Sequence, residues 1–171
     1  MADAVAIRGT PLPGLREQLA ALCEGENSDL AILANAAALL YWSLEDVNWV
    51  GFYLLTGDAL QLGPFHGKPA CVTIPMGKGV CGTAAETRET QRVPDVHAFP
   101  GHIACDADSR SEVVVPLIDG GRILGVLDVD SPSLARFGPE EQEFLEDAAR
   151  IVLAALRKAD PVLLRTDAGF P

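Results

Sequence analysis

Basic residues, long apolar runs and export signals are scarce in this sequence. Only 13 Lys and Arg stand against 24 Asp and Glu, which gives the 171-residue chain a net charge of −11. Without a run of Lys or Arg, it lacks the electrostatic footprint of a nucleic-acid-binding protein. No stretch reaches the roughly 18 to 20 apolar residues that cross a bilayer, and residues 1–14 do not form a signal peptide. We expect a cytoplasmic protein without nucleic-acid or membrane partners.

The composition that remains is that of a folded globular protein. Hydrophobic residues make up 49% of the chain and charged residues 22%, which excludes a disordered or collagen-like protein. The length predicts one domain, which we place at residues 1–159, followed by a flexible tail at 160–171. Four cysteines in a reducing compartment indicate thiol chemistry, metal binding or burial more than a static disulfide framework.

Four segments have the spacing or capping signals of helices. Residues 15–23 carry apolar side chains on one helical face, and an Ala- and Leu-rich helix runs from Asp29 to about Trp42 with Ser28 as its N-cap. A short helix is expected at about 80–87, after the loop Gly77-Lys78-Gly79. The last helix opens at Gly138-Pro139-Glu140 and runs to about Lys158.

Strand signals occur between these helices, as two hairpins and one further strand. The turns of the hairpins are residues 56–58 and 119–121. The predicted strands are 48–55, 59–65, 70–74, 111–118 and 122–129. Because hairpins pair strands antiparallel, we predict an α+β domain with a central antiparallel sheet and helices packed on one face.

A long connection between Val93 and Glu112 holds the first candidate for chemistry, Cys105. Connections of this length without regular structure are uncommon in compact domains and are often functional. His102 and Arg110 would favour the Cys105 thiolate, whereas neighbouring acids would oppose it, and the sequence leaves the balance open. The alternative is that Cys105 is simply a small loop residue.

The other cysteines have equally simple alternatives. Cys71 alternates with apolar residues on a predicted strand, which indicates burial. Cys81 follows two glycines at the start of a short helix, where free N–H groups and the helix dipole would lower the thiol pKa, or it is only tightly packed there. Cys23 lies on the apolar face of the first helix, so we expect it to be structural.

Acids and aromatic residues near the strand ends suggest a small polar pocket. Asp128 and Asp130 alternate with an apolar residue and therefore share one strand face, and Glu112 lies near the end of the partner strand. Such acids either form a solvated hairpin end or hold a cationic group such as an ammonium, with one acid of raised pKa as a proton donor. Trp49 and Tyr53 share a strand face and either line this pocket or belong to the core.

Two other site types lack their sequence signatures. Cysteines and histidines could in principle supply a zinc tetrahedron, but no Cys-x-x-Cys pair is present, so we predict no metal. The residues considered were Cys71, Cys81, His97, His102 and Cys105. The segment Gly77-Lys78-Gly79 departs from the Walker pattern, in which Ser or Thr follows the lysine, which argues against a nucleotide triphosphatase.

Three cysteine-containing motifs give the sequence a specific resemblance. GKPAC, GKGVCG and PGHIACD, followed by GVLDVDSP, make residues 48–132 similar to the free methionine-(R)-sulfoxide reductases, which are single GAF domains. A generic GAF domain need not have this cysteine trio. The resemblance implies a GAF-like fold and reduction of free methionine-(R)-sulfoxide to methionine through a cysteine sulfenic acid and an intramolecular disulfide.

The resemblance also implies roles for individual residues. Cys105 matches the attacking cysteine, Cys71 the usual resolving cysteine, and Cys81 a third that assists or substitutes in resolution. The remaining matches form the substrate pocket. They are the acids Glu112, Asp128 and Asp130 and the aromatic wall of Trp49 and Tyr53.

Reduction of the disulfide would need an external dithiol and no tightly bound cofactor. Thioredoxin, with its NADPH-dependent reductase, is the expected electron donor. The alternatives are a GAF domain that senses a small molecule or redox state without turnover, and a zinc-bound structural domain. The sequence leaves the oligomeric state open, including a homodimer.

Overall fold

The computed structural model describes residues 11–101, 103 and 106–160. The helices are α1 (Leu12–Cys23), α2 (Asp29–Ser43), α3 (Gly79–Thr87) and α4 (Pro139–Leu156). The strands are β1 (Trp49–Thr56), β2 (Ala59–Gly67), β3 (Thr73–Pro75), β4 (Gln91–Val93), β5 (Ser111–Asp119) and β6 (Arg122–Ser131). Within these residues, no helix has the length and apolarity to cross a membrane.

Local sequence signals explain where the longer helices begin. The Ser28 hydroxyl accepts a hydrogen bond from the Ala31 N–H at 3.2 Å and caps α2, as predicted. At α4, Pro139 occupies the first turn and the Glu141 carboxylate accepts from the Gly138 N–H at 2.9 Å. Both caps satisfy N–H groups that have no partner within their helix.

The strands form one antiparallel sheet in the order β3-β2-β1-β6-β5-β4. The central strands β1 and β6 bring the two predicted hairpins side by side, with Val50 opposite Val129 and Gly51 opposite Asp128. The α+β class and the central antiparallel sheet are therefore confirmed.

The two faces of the sheet carry different helices. Helices α1, α2 and α4 cover one face, where they pack on alternate side chains of β1 such as Val50, Phe52 and Leu54. We call this the three-helix face. The short helix α3 packs on the opposite face, over Tyr53, Val114 and Val126, and we call this the α3 face. The long helices thus share one face as predicted, and α3 is added on the other.

The prediction of a strand over 70–74 is wrong for Cys71. Strand β3 begins only at Thr73, which pairs with Gln61 of β2, and the residues between Gly67 and Thr73 connect the two strands. The peptide next to Cys71 is held instead by a single ladder-like bond, from the Leu62 N–H to the Val72 carbonyl at 2.9 Å. Cys71 therefore lies in a connecting segment, half-buried.

Two segments outside the predicted helices and strands, one after β4 and one at the C-terminus, form ordered contacts that the sequence did not predict. The segment after β4 includes a 3₁₀ turn at Val96–Ala98, capped where the Asp95 carboxylate accepts from the His97 N–H at 3.0 Å. At the C-terminus, the Asp160 N–H donates to the Asn27 carbonyl at 2.6 Å, so the first residue of the expected tail is attached to the domain. Residues 161–171 of that tail lie outside the described part of the chain.

Candidate active site

Three acids converge on the α3 face of the sheet. Asp128 and Asp130 alternate along β6, and Glu112 on β5 pairs directly opposite Asp130, so all three side chains are on the same face. Glu112 is 5% exposed and Asp128 is 6% exposed, and Asp130 is half-buried. This geometry confirms that the two aspartates share a face and excludes the solvated hairpin end as the explanation for Asp128.

The acids line a small cavity beneath the start of α3. The cavity has a volume of about 30 Å³, which is room for one or two water molecules. Its wall is shared by the sheet, the first turn of α3 and the connection before β5. The lining residues are Ile74, Lys78, Gly79, Val80, Cys81, Ile103, Asp106, Ser109, Glu112, Asp128 and Asp130.

Cys81 lies among these acids because the backbone of α3 comes close to the sheet edge. A Cβ on Gly82 would be 2.4 Å from the Pro75 carbonyl oxygen, so only glycine permits this approach. The Cys81 Sγ is 3.2 Å from the Asp128 Oδ2 and 3.9 Å from the Glu112 Oε1. The expectation of a lowered thiol pKa is wrong, because burial and then the charges of Asp128 and Glu112 raise the pKa of Cys81.

Burial also favours the protonated forms of the carboxyl groups. It raises the pKa of Asp128 to about 6. Burial, and next the charge of Asp128, raise the pKa of Glu112 and of Asp130 above their usual range. The raised pKa favours a protonated Glu112, and the Asp128 Oδ1 is buried without a hydrogen-bond partner. The site thus combines a candidate proton donor with an unsatisfied acceptor, to which a cationic group can donate.

Trp49 and Tyr53 share one face as predicted, but they lie in the core beside the cavity and do not line it. Their rings stack with centroids 5.8 Å apart. The Trp49 Nε1 donates to the Lys68 carbonyl at 3.1 Å, and the Tyr53 hydroxyl donates to the Cys71 carbonyl at 3.0 Å. Both aromatic residues therefore hold the segment that carries Cys71, and their contact with a substrate stays a prediction.

The remaining cysteines are placed differently. Cys71 is disulfide-bonded. Cys23 is free and buried in α1 on the three-helix face, where burial raises its pKa to about 11, so its structural interpretation is confirmed. Cys105 and His102 lie outside the described residues.

Three of the described residues, a set that differs from the one considered from the sequence, lie close enough together that they could hold a metal ion. Within the described residues, a ligand atom from each of Cys81, Glu112 and Asp128 lies within 4.8 Å of the others. These are a sulfur and two carboxylate oxygens, which are ligands that zinc accepts. His97 does not join this group and instead contacts the Asp95 carboxylate at 3.3 Å.

Sequence reasoning missed the residues that hold the connection before β5. The Asn48 Nδ2 donates to the Asp106 Oδ2 at 3.2 Å and to the Ser109 Oγ at 3.0 Å. The Lys68 Nζ lies 3.4 Å from the Asp106 Oδ1 and also pairs with Asp108. Asn48 directly precedes β1 and Lys68 directly follows β2, so strand pairing brings both to the same end of the hairpin, but no local pattern in the sequence indicates their contact with Asp106.

Known proteins share both this fold and much of this sequence. Residues 29–156 match the GAF domain family. The chain is 54% identical over 153 residues to the free methionine-R-sulfoxide reductase of Escherichia coli (strain K12), covering 90% of this chain and 88% of that protein. It is 46% identical over 139 residues to the enzyme of that name in Saccharomyces cerevisiae, covering 77% of each.

A solved structure of a relative has the same fold as this chain. The free methionine-R-sulfoxide reductase from Neisseria meningitidis, in complex with its substrate, superposes with a TM-score of 0.87 at 39% identity. The match covers 92% of this chain and 98% of that one. The chain thus belongs to the free methionine-R-sulfoxide reductase family of GAF-domain proteins.

Proposed function

We propose that this protein reduces free methionine-(R)-sulfoxide to methionine. The observation that carries the proposal is the buried cluster of Glu112, Asp128 and Cys81, in which one Asp128 oxygen has no partner. Buried acids with raised pKa values cost stability, and such groups cluster at functional sites. Family membership and the relatives' names supply the reaction to which this cluster fits.

The acid cluster suits the amino-acid part of the substrate. A free methionine sulfoxide carries an α-ammonium group, which a peptide-bound residue lacks. The ammonium would donate to the unpartnered Asp128 Oδ1 and be attracted by Asp130. This pairing would make the site prefer the free amino acid.

The first chemical step would need a thiolate and an acid. The Cys105 thiolate attacks the sulfoxide sulfur, the sulfoxide oxygen takes up one proton, and this oxygen is transferred to the Cys105 sulfur as its bond to the methionine sulfur breaks. The products are methionine and a sulfenic acid on Cys105. We assign the proton donor to Glu112, because burial and the Asp128 charge raise its pKa well above the usual range and so favour its protonated form.

The second step would return the oxygen as water. The Cys71 sulfur attacks the sulfenic acid sulfur of Cys105, a disulfide forms, and the oxygen leaves as water. The disulfide recorded at Cys71 supports its role as the resolving residue. Thioredoxin would then reduce the disulfide by exchange in the cytoplasm, and Cys81 would be a reserve resolving thiol. A homodimer remains a prediction.

Substrate entry would require the cavity to enlarge. A volume of about 30 Å³ is far below that of an amino acid, and the walls that could yield are Ile103, Asp106 and Ser109 in the connection before β5. The structure therefore corresponds to a compact form of the site, in which Cys71 is already disulfide-bonded.

The decisive experiment compares substrates and cysteine variants. Methionine release is measured with both sulfoxide diastereomers, free and peptide-bound, with thioredoxin, its reductase and NADPH. We expect turnover of the free R form only, loss of all methionine in Cys105→Ser, and in Cys71→Ser one equivalent of methionine followed at most by slow recycling through Cys81. Cys23→Ser is the matched control and should keep full activity, and full activity in Cys105→Ser would refute the mechanism.

A GAF sensor is the second candidate, because residues 29–156 match the GAF domain family. A sensor would bind methionine or its sulfoxide without turnover. Product beyond one equivalent per protein in the presence of reductant excludes it, and tight binding with no product would favour it over the enzyme.

A further inference from the structure

Lys68 ties together the two chain segments that carry the proposed redox cysteines. It follows the end of β2, three residues before Cys71. Its ammonium reaches across to Asp106, which is next to Cys105 in the sequence, at 3.4 Å, and it also pairs with Asp108. These contacts link residues 38 and 40 positions apart in the chain.

Each end of this ion pair is fixed to the sheet. On the Lys68 side, Trp49 holds the Lys68 carbonyl and Tyr53 holds the Cys71 carbonyl. On the other side, Asn48 donates to Asp106, whose side chain is only 8% exposed. Because the anchors are Trp49 and Tyr53 of β1 and Asn48, the residue directly before β1, the lysine joins two segments that are both held at this strand.

Asp106 is a persistent partner for the lysine. The Asp108 N–H donates to its Oδ1 at 2.9 Å. This hydrogen bond, together with the Lys68 charge, lowers the pKa of Asp106, so the carboxylate stays ionised through the neutral range. The ammonium side of the pair is exposed, so added salt can weaken it.

We propose that Lys68 is a positioning residue for disulfide formation: its ion pairs with Asp106 and Asp108 hold the Cys71 segment against the segment that follows Cys105. The proposal rests on the proposed function. In the step concerned, the S–S bond between Cys71 and Cys105 forms, the S–O bond of the sulfenic acid breaks, and water leaves. A tether that shortens the search between two sulfur atoms raises their effective concentration.

The same contacts oppose enlargement of the cavity. Asp106 lines the cavity, and the connection that contains it must shift to admit a substrate. Removing the lysine should therefore leave substrate binding unchanged or slightly improved while it slows the later step. A general loss of structure would instead weaken both.

The test separates the two chemical steps in Lys68→Met. One equivalent of free methionine-(R)-sulfoxide is mixed with reduced protein without thioredoxin, methionine release is followed by rapid quench, and disulfide formation by alkylation and intact mass. We expect methionine release at the wild-type rate and disulfide formation slower by about three- to tenfold. Lys68→Arg should restore most of the rate. Lys158→Met, which removes an exposed lysine at the end of α4, is the matched control.

Salt gives a second readout that a structural role would not move. Raising NaCl from about 0.05 M to 1 M should slow disulfide formation in the wild type and leave Lys68→Met unaffected. Equal disulfide rates in wild type and Lys68→Met, or a raised KM with an unchanged disulfide rate, would overturn the proposal. Absence of methionine in the wild type would instead refute the proposed function.

Discussion

The two faces of the sheet are built from the same strands but meet opposite requirements. On the three-helix face, the alternate residues of β1 are Val50, Phe52 and Leu54, and the described core there is apolar. On the α3 face, the same strands bury Tyr53 together with the carboxyl groups of Glu112 and Asp128. Both faces bury apolar side chains, which stabilise the fold. The α3 face in addition holds acids away from water, which costs stability.

Burial has different consequences for the apolar side chains of one face and for the carboxyl groups of the other. For an apolar side chain, burial contributes on the order of 1.5 to 3 kcal/mol. For a carboxyl group, burial without full pairing raises the pKa and favours the neutral form. The same packing thus produces a stable core on one face and a proton donor on the other.

The largest effect on activity is expected from a substitution that removes the proton donor on the α3 face. Glu112→Gln keeps the shape of the neutral acid but cannot release a proton, so we expect methionine formation to fall by about 10²- to 10⁴-fold. The free energy of unfolding should not decrease, because a buried acid becomes an amide. Steady-state kinetics and urea unfolding measure both quantities, and Glu143→Gln on the exposed side of α4 is the control. Retained activity would show that another acid gives the proton.

The next largest effect, on stability, is expected from a substitution that removes a buried side chain from the three-helix face. Leu145 is fully buried on α4, and Leu145→Ala should lower the free energy of unfolding by about 2 to 5 kcal/mol. The activity of the folded fraction should be retained, since no residue of the cavity is touched. Leu30→Ala, at a position 45% exposed on α2, should cost less than about 0.5 kcal/mol. A comparable loss in both variants, measured by urea unfolding, would contradict the contrast between the faces.

The third effect is the pH dependence of stability. The folded protein keeps a proton on Asp128 up to about pH 6, whereas the unfolded chain releases it near its usual pKa of about 3.8. The folded state therefore binds more protons in this window, and stability falls as pH rises through it, by at most about 3 kcal/mol. The raised pKa values of Glu112 and Asp130 act in the same direction at higher pH.

Substitution of Asp128 tests the origin of that fall. Asp128→Asn should flatten the decrease in unfolding free energy between pH 4 and pH 7, measured by urea titration at each pH. Asp58→Asn, in the exposed turn between β1 and β2, should leave it as in the wild type. An unchanged decrease in Asp128→Asn would place the pH dependence elsewhere.

Local signals were sufficient for most of the fold. Ser28 and Pro139 mark the starts of α2 and α4, and the turns at 56–58 and 119–121 define the two hairpins. The predicted strand at 70–74 was wrong for Cys71, because apolar alternation around Cys71 resembles a strand, whereas the pairing with β2 begins only at Thr73. β4 was missed because three residues carry too little periodicity.

Local sequence patterns predicted only part of the candidate site. The shared face of Asp128 and Asp130 follows from strand alternation, and it was predicted correctly. The direction of the pKa shift of Cys81 was predicted wrongly. The start of a helix favours the thiolate, but burial and the surrounding acids oppose it more strongly. The network of Asn48, Lys68 and Asp106 had no sequence signal, since it joins three distant segments.

The amino-acid sequence by itself determined the elements, the strand pairing within each hairpin and the chemical types available for a reaction. These follow from periodicity, turn residues and caps, which act over a few neighbouring positions. Only the tertiary structure decided that α3 covers the face opposite the long helices, and that Cys81 is thereby buried against Glu112 and Asp128. Desolvation and charge repulsion depend on which distant groups meet, and no local pattern contains that information.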